Sequence, residues 1–179
     1  MNTDAALPPF EDALRVVRFD DASFFARAIF EEAYRSPFPV PPRDDAASRT
    51  WHQYVAFYRW DASRYEPVAF CNWIRHRGVY LSGGLCVRRE FYRRMPAGHY
   101  AACKAAGGLG QMTMAAAARE LHDLPAWFGH CGDTRALDIT ANLGYEATRH
   151  PHLIVKWFRA LPAAERDALV DEVASIGPF

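Results

Sequence analysis

Lysine is almost missing from this chain: of 21 basic residues only Lys104 and Lys156 are lysine, and the arginine-rich, alanine-rich usage fits a bacterial source with GC-rich codons. Nor is there an excess charge of either sign, since 21 acidic residues balance the basic ones. That balance leaves no overall field to draw in nucleic acid or anionic lipid, so a charged ligand has to be met by a local cluster or by backbone N–H groups. Cys71, Cys86, Cys103 and Cys131 are scattered, with no C-x-x-C pair. This spacing carries no sign of a zinc ribbon or a disulfide framework, and the four read as small buried hydrophobes. His150-Pro151-His152 resembles a metal pair only superficially, because no further ligand clusters with it; no metal is expected. No stretch approaches the ~20 apolar residues of a membrane span, and Met1 to Phe10 lack a basic region followed by an apolar run. The expectation is a cytoplasmic protein with neither membrane nor nucleic acid as partner.

What is present is material for a core. Half of the 179 residues are hydrophobic and 23% are charged, a balance that supports a packed globule over long disordered tails. A chain of this length buries about 70% of its surface on folding, enough for one domain spanning 1–179.

Ala13 to Phe19 reads as a strand, after which Asp20, Asp21 and Ser23 offer capping side chains to a helix ending near Tyr34, with Phe25, Ile29 and Ala33 on one face. Ser36 to Pro42 cannot continue a helix, because its prolines lack the N–H; it is expected to be an ordered loop. Trp51 to Trp60, Pro67 to Ile74 and Val79 to Val87 are rich in aromatic and β-branched residues and predict three antiparallel strands. Gly83 and Gly84 fall inside the third, where glycine marks a bulge or a close backbone approach. Helical character follows to Met95, breaks at Pro96, resumes over Tyr100 to Ala105, and breaks again at Gly107 to Gly110. Thr113 to Leu121 then predicts a helix, Pro125 to Cys131 a buried strand, and Asp133 to Asn142 a helix stopped by Gly144. Tyr145 to Phe158 predicts a strand or hairpin. The tail from Pro162 to about residue 176 predicts an additional helix with Leu169, Val173 and Ile176 on one face.

Three elements stand in a telling order: a strand ending Leu85-Cys86-Val87, Gly108-Leu109-Gly110 entering a helix, and Asn142-Leu143-Gly144-Tyr145 before the last strand. Over roughly Ala13 to Phe158 this resembles the GNAT superfamily of acyl-coenzyme A N-acyltransferases. The resemblance implies an α/β (α+β) fold, a mixed and mostly antiparallel sheet flanked by helices on both faces. It also implies acetyl-CoA, or another acyl-CoA, as co-substrate. In that case Gly83 and Gly84 splay the strand, the backbone of Leu85, Cys86 and Val87 pairs with the pantetheine, and N–H groups from Gly108, Leu109, Gly110 and Gln111 bind the pyrophosphate.

The chain departs from the family twice. The position of the usual basic or amide residue before the glycine loop is Ala105, and a competing alignment places that loop at Arg93-Arg94-Met95-Pro96-Ala97-Gly98. Under either alignment Arg93 and Arg94 are candidates for a cofactor phosphate. The position of the family's frequent tyrosine acid is Thr140, a poor acid for a thiolate. His130, Thr140 and Tyr145 are therefore the catalytic candidates, with His130 suited to accept an amine proton; Asp138 and Cys131 are nearby alternatives. The implied reaction is acetyl transfer to a primary amine of a small molecule or peptide. Longer acyl chains, an acyl carrier protein docked on Arg88 to Arg94, and a non-catalytic acyl-CoA binder are the alternatives, and self-association as a homodimer stays open. Phe38, Trp51, Trp73 and Trp157 are aromatic candidates for the acceptor's walls, with core packing the ordinary explanation of each.

Overall fold

A computed structural model describes residues 7–37 and 51–179. Seven strands form one sheet in the order β1-β2-β3-β4-β5-β7-β6. They are β1 (Leu14–Phe19), β2 (Trp51–Arg59), β3 (Tyr65–His76), β4 (Val79–Val87), β5 (Ala126–His130), β6 (Glu146–Ala147) and β7 (Leu153–Trp157). The helices are α1 (Phe10–Ala13), α2 (Ser23–Tyr34), α3 (Arg89–Arg94), α4 (Ala97–Ala105), α5 (Gly108–Ala118), α6 (Thr134–Asn142) and α7 (Ala163–Ala174). Pairing is antiparallel for β1–β2, β5–β7 and β6–β7, and parallel for β4–β5. The fold is thus the mixed, mostly antiparallel α/β class expected.

The described residues fall into two compact units. The first holds residues 7–37, Gln53–Cys71 and Leu85–Thr113. Alternation along β2 sends its side chains to two faces. Ala56 and Tyr58 join Phe10, Phe91, Met95, Cys103 and Leu109 from α1, α3, α4 and α5, while Val55 joins Ala22, Ala26 and Ile29 at α2. Helices therefore cover both faces of this unit's strands. α2 stops at Arg35, whose left-handed φ of 53° lets its N–H reach the Glu31 carbonyl. The expected capping is only partly realised: the Asp21 carboxylate accepts the Ser23 N–H at 2.8 Å, whereas the residue at the cap position is Ala22.

The second unit holds residues 51–52, Asn72–Gly84 and Met114–Phe179. Val79 and Leu81 of β4, Ala126 and Phe128 of β5, and Leu153 and Val155 of β7 form one apolar layer, closed by Val170 and Val173 of α7. Alternate residues face the other way, where Trp73 and Trp127 meet at 4.5 Å between ring centroids. The Trp127 indole N–H donates to the Leu121 carbonyl at 2.7 Å, and the Tyr80 hydroxyl to Asp123 at 2.9 Å. α6 ends at Asn142, and Gly144, with φ of 83°, turns the chain so that the Tyr145 N–H returns to the Thr140 carbonyl.

Several expectations are corrected. Ala13, expected to open the first strand, instead ends α1, a turn too short to show a periodicity, and β1 begins at Leu14. α4 begins at Ala97 with Pro96 as its cap residue, not at Tyr100. Gly108 and Gly110 lie inside α5, so the break is confined to Ala106 and Gly107, and α5 ends at Ala118 rather than Leu121. In the tail Val170 and Val173 are the buried pair; Ile176 lies past the helix and is exposed. Most of the Ser36 to Pro42 loop, Phe38 included, lies outside the described residues.

Candidate functional site

In the first unit the end of β4 is anchored by the Cys86 and Val87 side chains. Cys86 is buried with α2, and burial pushes its thiol up to about 12 against an opposing hydrogen bond with Tyr34. Val87 packs toward Phe91 and Tyr58. The Leu85 carbonyl accepts the Tyr34 hydroxyl at 3.4 Å, and Tyr34 itself stacks on Phe30 at 4.6 Å. Arg88 then closes the strand, donating its N–H to the Val68 carbonyl at 2.9 Å.

The α4–α5 junction is built on glycine. Gly107 and Gly108 have φ of 87° and 88°, a region that costs other residues about 1–2 kcal/mol each. A Cβ on Gly107 would lie 2.3 Å from Gln111 Oε1, so the Gln111 side chain folds over that glycine; a Cβ on Gly108 would lie 3.2 Å from the Tyr92 hydroxyl. Tyr92, on α3, uses this hydroxyl to accept the Leu109 N–H at 3.0 Å, and the Thr113 hydroxyl donates to the Leu109 carbonyl at 2.7 Å. One donor of the α5 N-terminus is thereby satisfied by a neighbouring side chain. Cys103 lies in the same knot, its thiol raised to about 11 chiefly by burial. Neither Tyr92 nor its role was visible in the sequence.

The arginines of the competing alignment are engaged by carboxylates. Arg93 is largely exposed and holds Glu90 at 2.6 and 2.9 Å. Arg94 holds Glu66 with both terminal guanidinium nitrogens, Nη1 and Nη2. Glu66 also accepts from the Trp60 indole at 2.9 Å and from Arg88 at 3.2 Å, and Arg88 reaches Glu32 at 2.5 Å. Burial raises the Glu66 carboxyl, but the hydrogen bonds from Arg94 and Trp60 and the charges of Arg94 and Arg88 leave it below its ordinary value. Ala105 is exposed at the end of α4.

In the second unit β4 and β5 run parallel from Tyr80–Trp127 to Ser82–Gly129, and Gly83 and Gly84 follow directly, Gly84 with φ of 136°. His130 ends β5. Its Nε2 is buried without a hydrogen-bond partner, its ring meets Phe179 edge-on at 5.0 Å, and burial, then the neighbouring His152, lowers its pKa. The Cys131 thiol donates to the Asp133 carbonyl at 3.5 Å and is raised by burial, the opposite of an activated thiol. The Thr140 hydroxyl is turned back onto its own helix, 3.0 Å from the carbonyls of Ala136 and Leu137. Tyr145 is buried beside Trp127, with ring centroids 6.4 Å apart. Asp138 is exposed.

His150 pairs with Asp171 at 2.8 Å, and among the described residues no group of three or more His, Cys, Asp or Glu side chains could hold a metal ion. No described helix is long and apolar enough to cross a membrane. Trp73 is core, and Trp157 is fixed by its indole bond to Glu146 at 2.7 Å and by Arg166 over its ring at 4.7 Å.

No family model matches the chain, and no curated protein matches it by sequence. Solved structures do. The ribosomal-protein-S18-alanine N-acetyltransferase of Escherichia coli matches with a TM-score of 0.52 at 13% identity, over 83% of this chain and 97% of that one. YhhK of Escherichia coli, described as an N-acetyl transferase and solved with coenzyme A bound, matches with a TM-score of 0.51 at 17% identity, over 80% and 98%. A protein of Desulfovibrio desulfuricans described as a GNAT-family acetyltransferase matches with a TM-score of 0.53 at 13% identity, over 82% and 100%. At such identities the likeness establishes architecture, and on it this chain has the fold of the GNAT acetyltransferases.

Proposed function

We propose that the chain, acting as one domain, is an acyl-CoA-dependent N-acyltransferase that moves acetyl from acetyl-CoA to a primary amine. The observation that carries this reading is the paired left-handed glycines at the mouth of α5, in the same unit as a β4 end whose Cys86 and Val87 side chains are committed to packing. Backbone N–H groups of Gly108, Gly110 and Gln111 are assigned to the pyrophosphate, which a helix N-terminus attracts through its dipole and orphan donors. The backbone of Leu85 to Val87 is assigned to the pantetheine amides. Arg93 and Arg94 are secondary candidates, since a phosphate would have to compete with Glu90 and Glu66. His130, neutral at pH 7 because burial lowers its pKa, is assigned as the proton acceptor.

The matched fold and the coenzyme A bound to YhhK support the reading. A non-catalytic acyl-CoA binder is the second reading, favoured by Thr140, whose hydroxyl serves its own helix. A thermal melt with millimolar acetyl-CoA tests binding, since a ligand of the folded state raises the midpoint by mass action. Thiol release over a panel of amines then separates enzyme from binder.

A further inference from the structure

The side chain under Gly83 belongs to Asn72 of β3. A Cβ on Gly83 would lie 2.5 Å from Asn72 Nδ2 and 3.0 Å from Oδ1, so the missing side chain is what gives the carboxamide its place. Asn72 is only 7% exposed, and among the described residues its carboxamide makes no hydrogen bond. Its polar atoms are not among the fully buried ones, so the carboxamide keeps hydrogen-bonding capacity that a ligand can take up. Its neighbour Trp73 faces Trp127 on the other side of the sheet.

Strand alternation places a second polar group on the same face. Val79 and Leu81 of β4 and Ala126 and Phe128 of β5 share one apolar layer, and Gly83 and His130 are the next positions of that alternation on their strands. The β4–β5 register ends at Ser82 and Gly129, and Gly83 and His130 are the next residues on the two strands. Asn72, Gly83 and His130 thus form a row over three consecutive strands of the sheet. The Asn72 carboxamide and the His130 Nε2, a buried nitrogen without a hydrogen-bond partner, lie on either side of a glycine that is itself open to solvent.

Resting on the acyl-transfer reading above, we propose that Asn72 is the acceptor-binding residue of this site: its Oδ1 receives an N–H of the incoming primary amine beside His130. The amine nitrogen attacks the thioester carbonyl carbon, the C–N bond forms, and the C–S bond breaks with its electron pair leaving on sulfur. The amine proton passes to His130 Nε2 and from there to the departing thiolate, so that amide and coenzyme A thiol are the products. Gly83 keeps the position clear.

The test compares the wild-type protein with Asn72→Ala and the nearly isosteric Asn72→Asp. Acetyl-CoA binding is followed by calorimetry, thiol release with spermidine, tyramine and lysine methyl ester as probe amines, and the His130 ring by NMR titration. Asn72→Ala should raise the amine KM tenfold or more while the acetyl-CoA Kd stays within twofold. Asn72→Asp should raise the His130 pKa by half a unit or more, because a new negative charge beside the ring favours the imidazolium; His152 is the other titrating group that acts on it. If Asn72→Ala does not fold, Asn72→Asp carries both readouts. Wild-type turnover that Asn72→Ala leaves unchanged overturns the role of Asn72 alone. An unmoved His130 pKa overturns it as well, including when none of the probe amines is used. A wild-type protein that neither binds nor cleaves acetyl-CoA overturns the parent reading, and this proposal with it.

Discussion

The mouth of α5 and the end of β5 differ in how their polar groups are satisfied. At α5 the recognition group is backbone without side chains, buried at Gly108 and Gly110 and trimmed by neighbours: Tyr92 takes the Leu109 N–H and Gln111 lies over Gly107. At the end of β5 and on β3 the polar groups are side chains: the His130 Nε2 is buried without a hydrogen-bond partner, and the Asn72 carboxamide lies under Gly83. A site made of backbone is preorganised by local conformation, whereas a site made of side chains is completed by what binds there. Substitutions should therefore separate cofactor affinity from turnover, depending on which region they strike.

The largest effect is expected at Gly108. Gly108→Val puts a branched side chain at φ 88° and against the Tyr92 hydroxyl. Coenzyme A affinity should fall at least tenfold by calorimetry, with circular dichroism confirming the fold; unchanged affinity would detach the pyrophosphate from this turn. Next comes Gly83→Ala, whose Cβ would displace the Asn72 carboxamide. Turnover should drop severalfold while coenzyme A binding holds, and parallel loss of both would erase the contrast between the regions.

A pH profile sharpens the same contrast. Burial lowers the His130 pKa from its ordinary 6.5, so the ring is neutral at pH 7 and the rate should fall only as pH drops below that value. His130→Gln should remove the acid limb. Below 6.5 the unfolded chain binds the proton more readily than the folded one, so His130 should also erode stability as pH falls through that window. Smaller still is Thr140→Val: the hydroxyl bonds only its own helix, so kcat should stay within twofold and stability within about 1 kcal/mol. Arg93→Ala should change coenzyme A affinity less than twofold, because that exposed guanidinium serves Glu90.

Much of the fold was legible because its signals are local. The strands from Trp51 to Val87, the stop at Gly144 and the β6–β7 hairpin follow from residue type and alternation. The glycines at 83–84 and 107–108 were legible as irregular backbone. Whether Gly108 closes a loop or opens a helix was not, since the answer lies in the Tyr92 hydroxyl, 16 residues earlier in the sequence. Asn72 was hidden for a related reason: within a strand of apolar neighbours only its contact with Gly83 distinguishes it. Arg93 and Arg94 looked like phosphate ligands because their partner Glu66 lies on another strand and Glu90 one turn away.

Calorimetric titration of acetyl-CoA into the wild-type protein and into Gly108→Val tests the central claim most directly. The account predicts saturable one-site binding to the wild type and a loss of at least tenfold in the variant, with both proteins folded. No binding heat from the wild type at millimolar acetyl-CoA, together with no shift of its thermal midpoint, would contradict it.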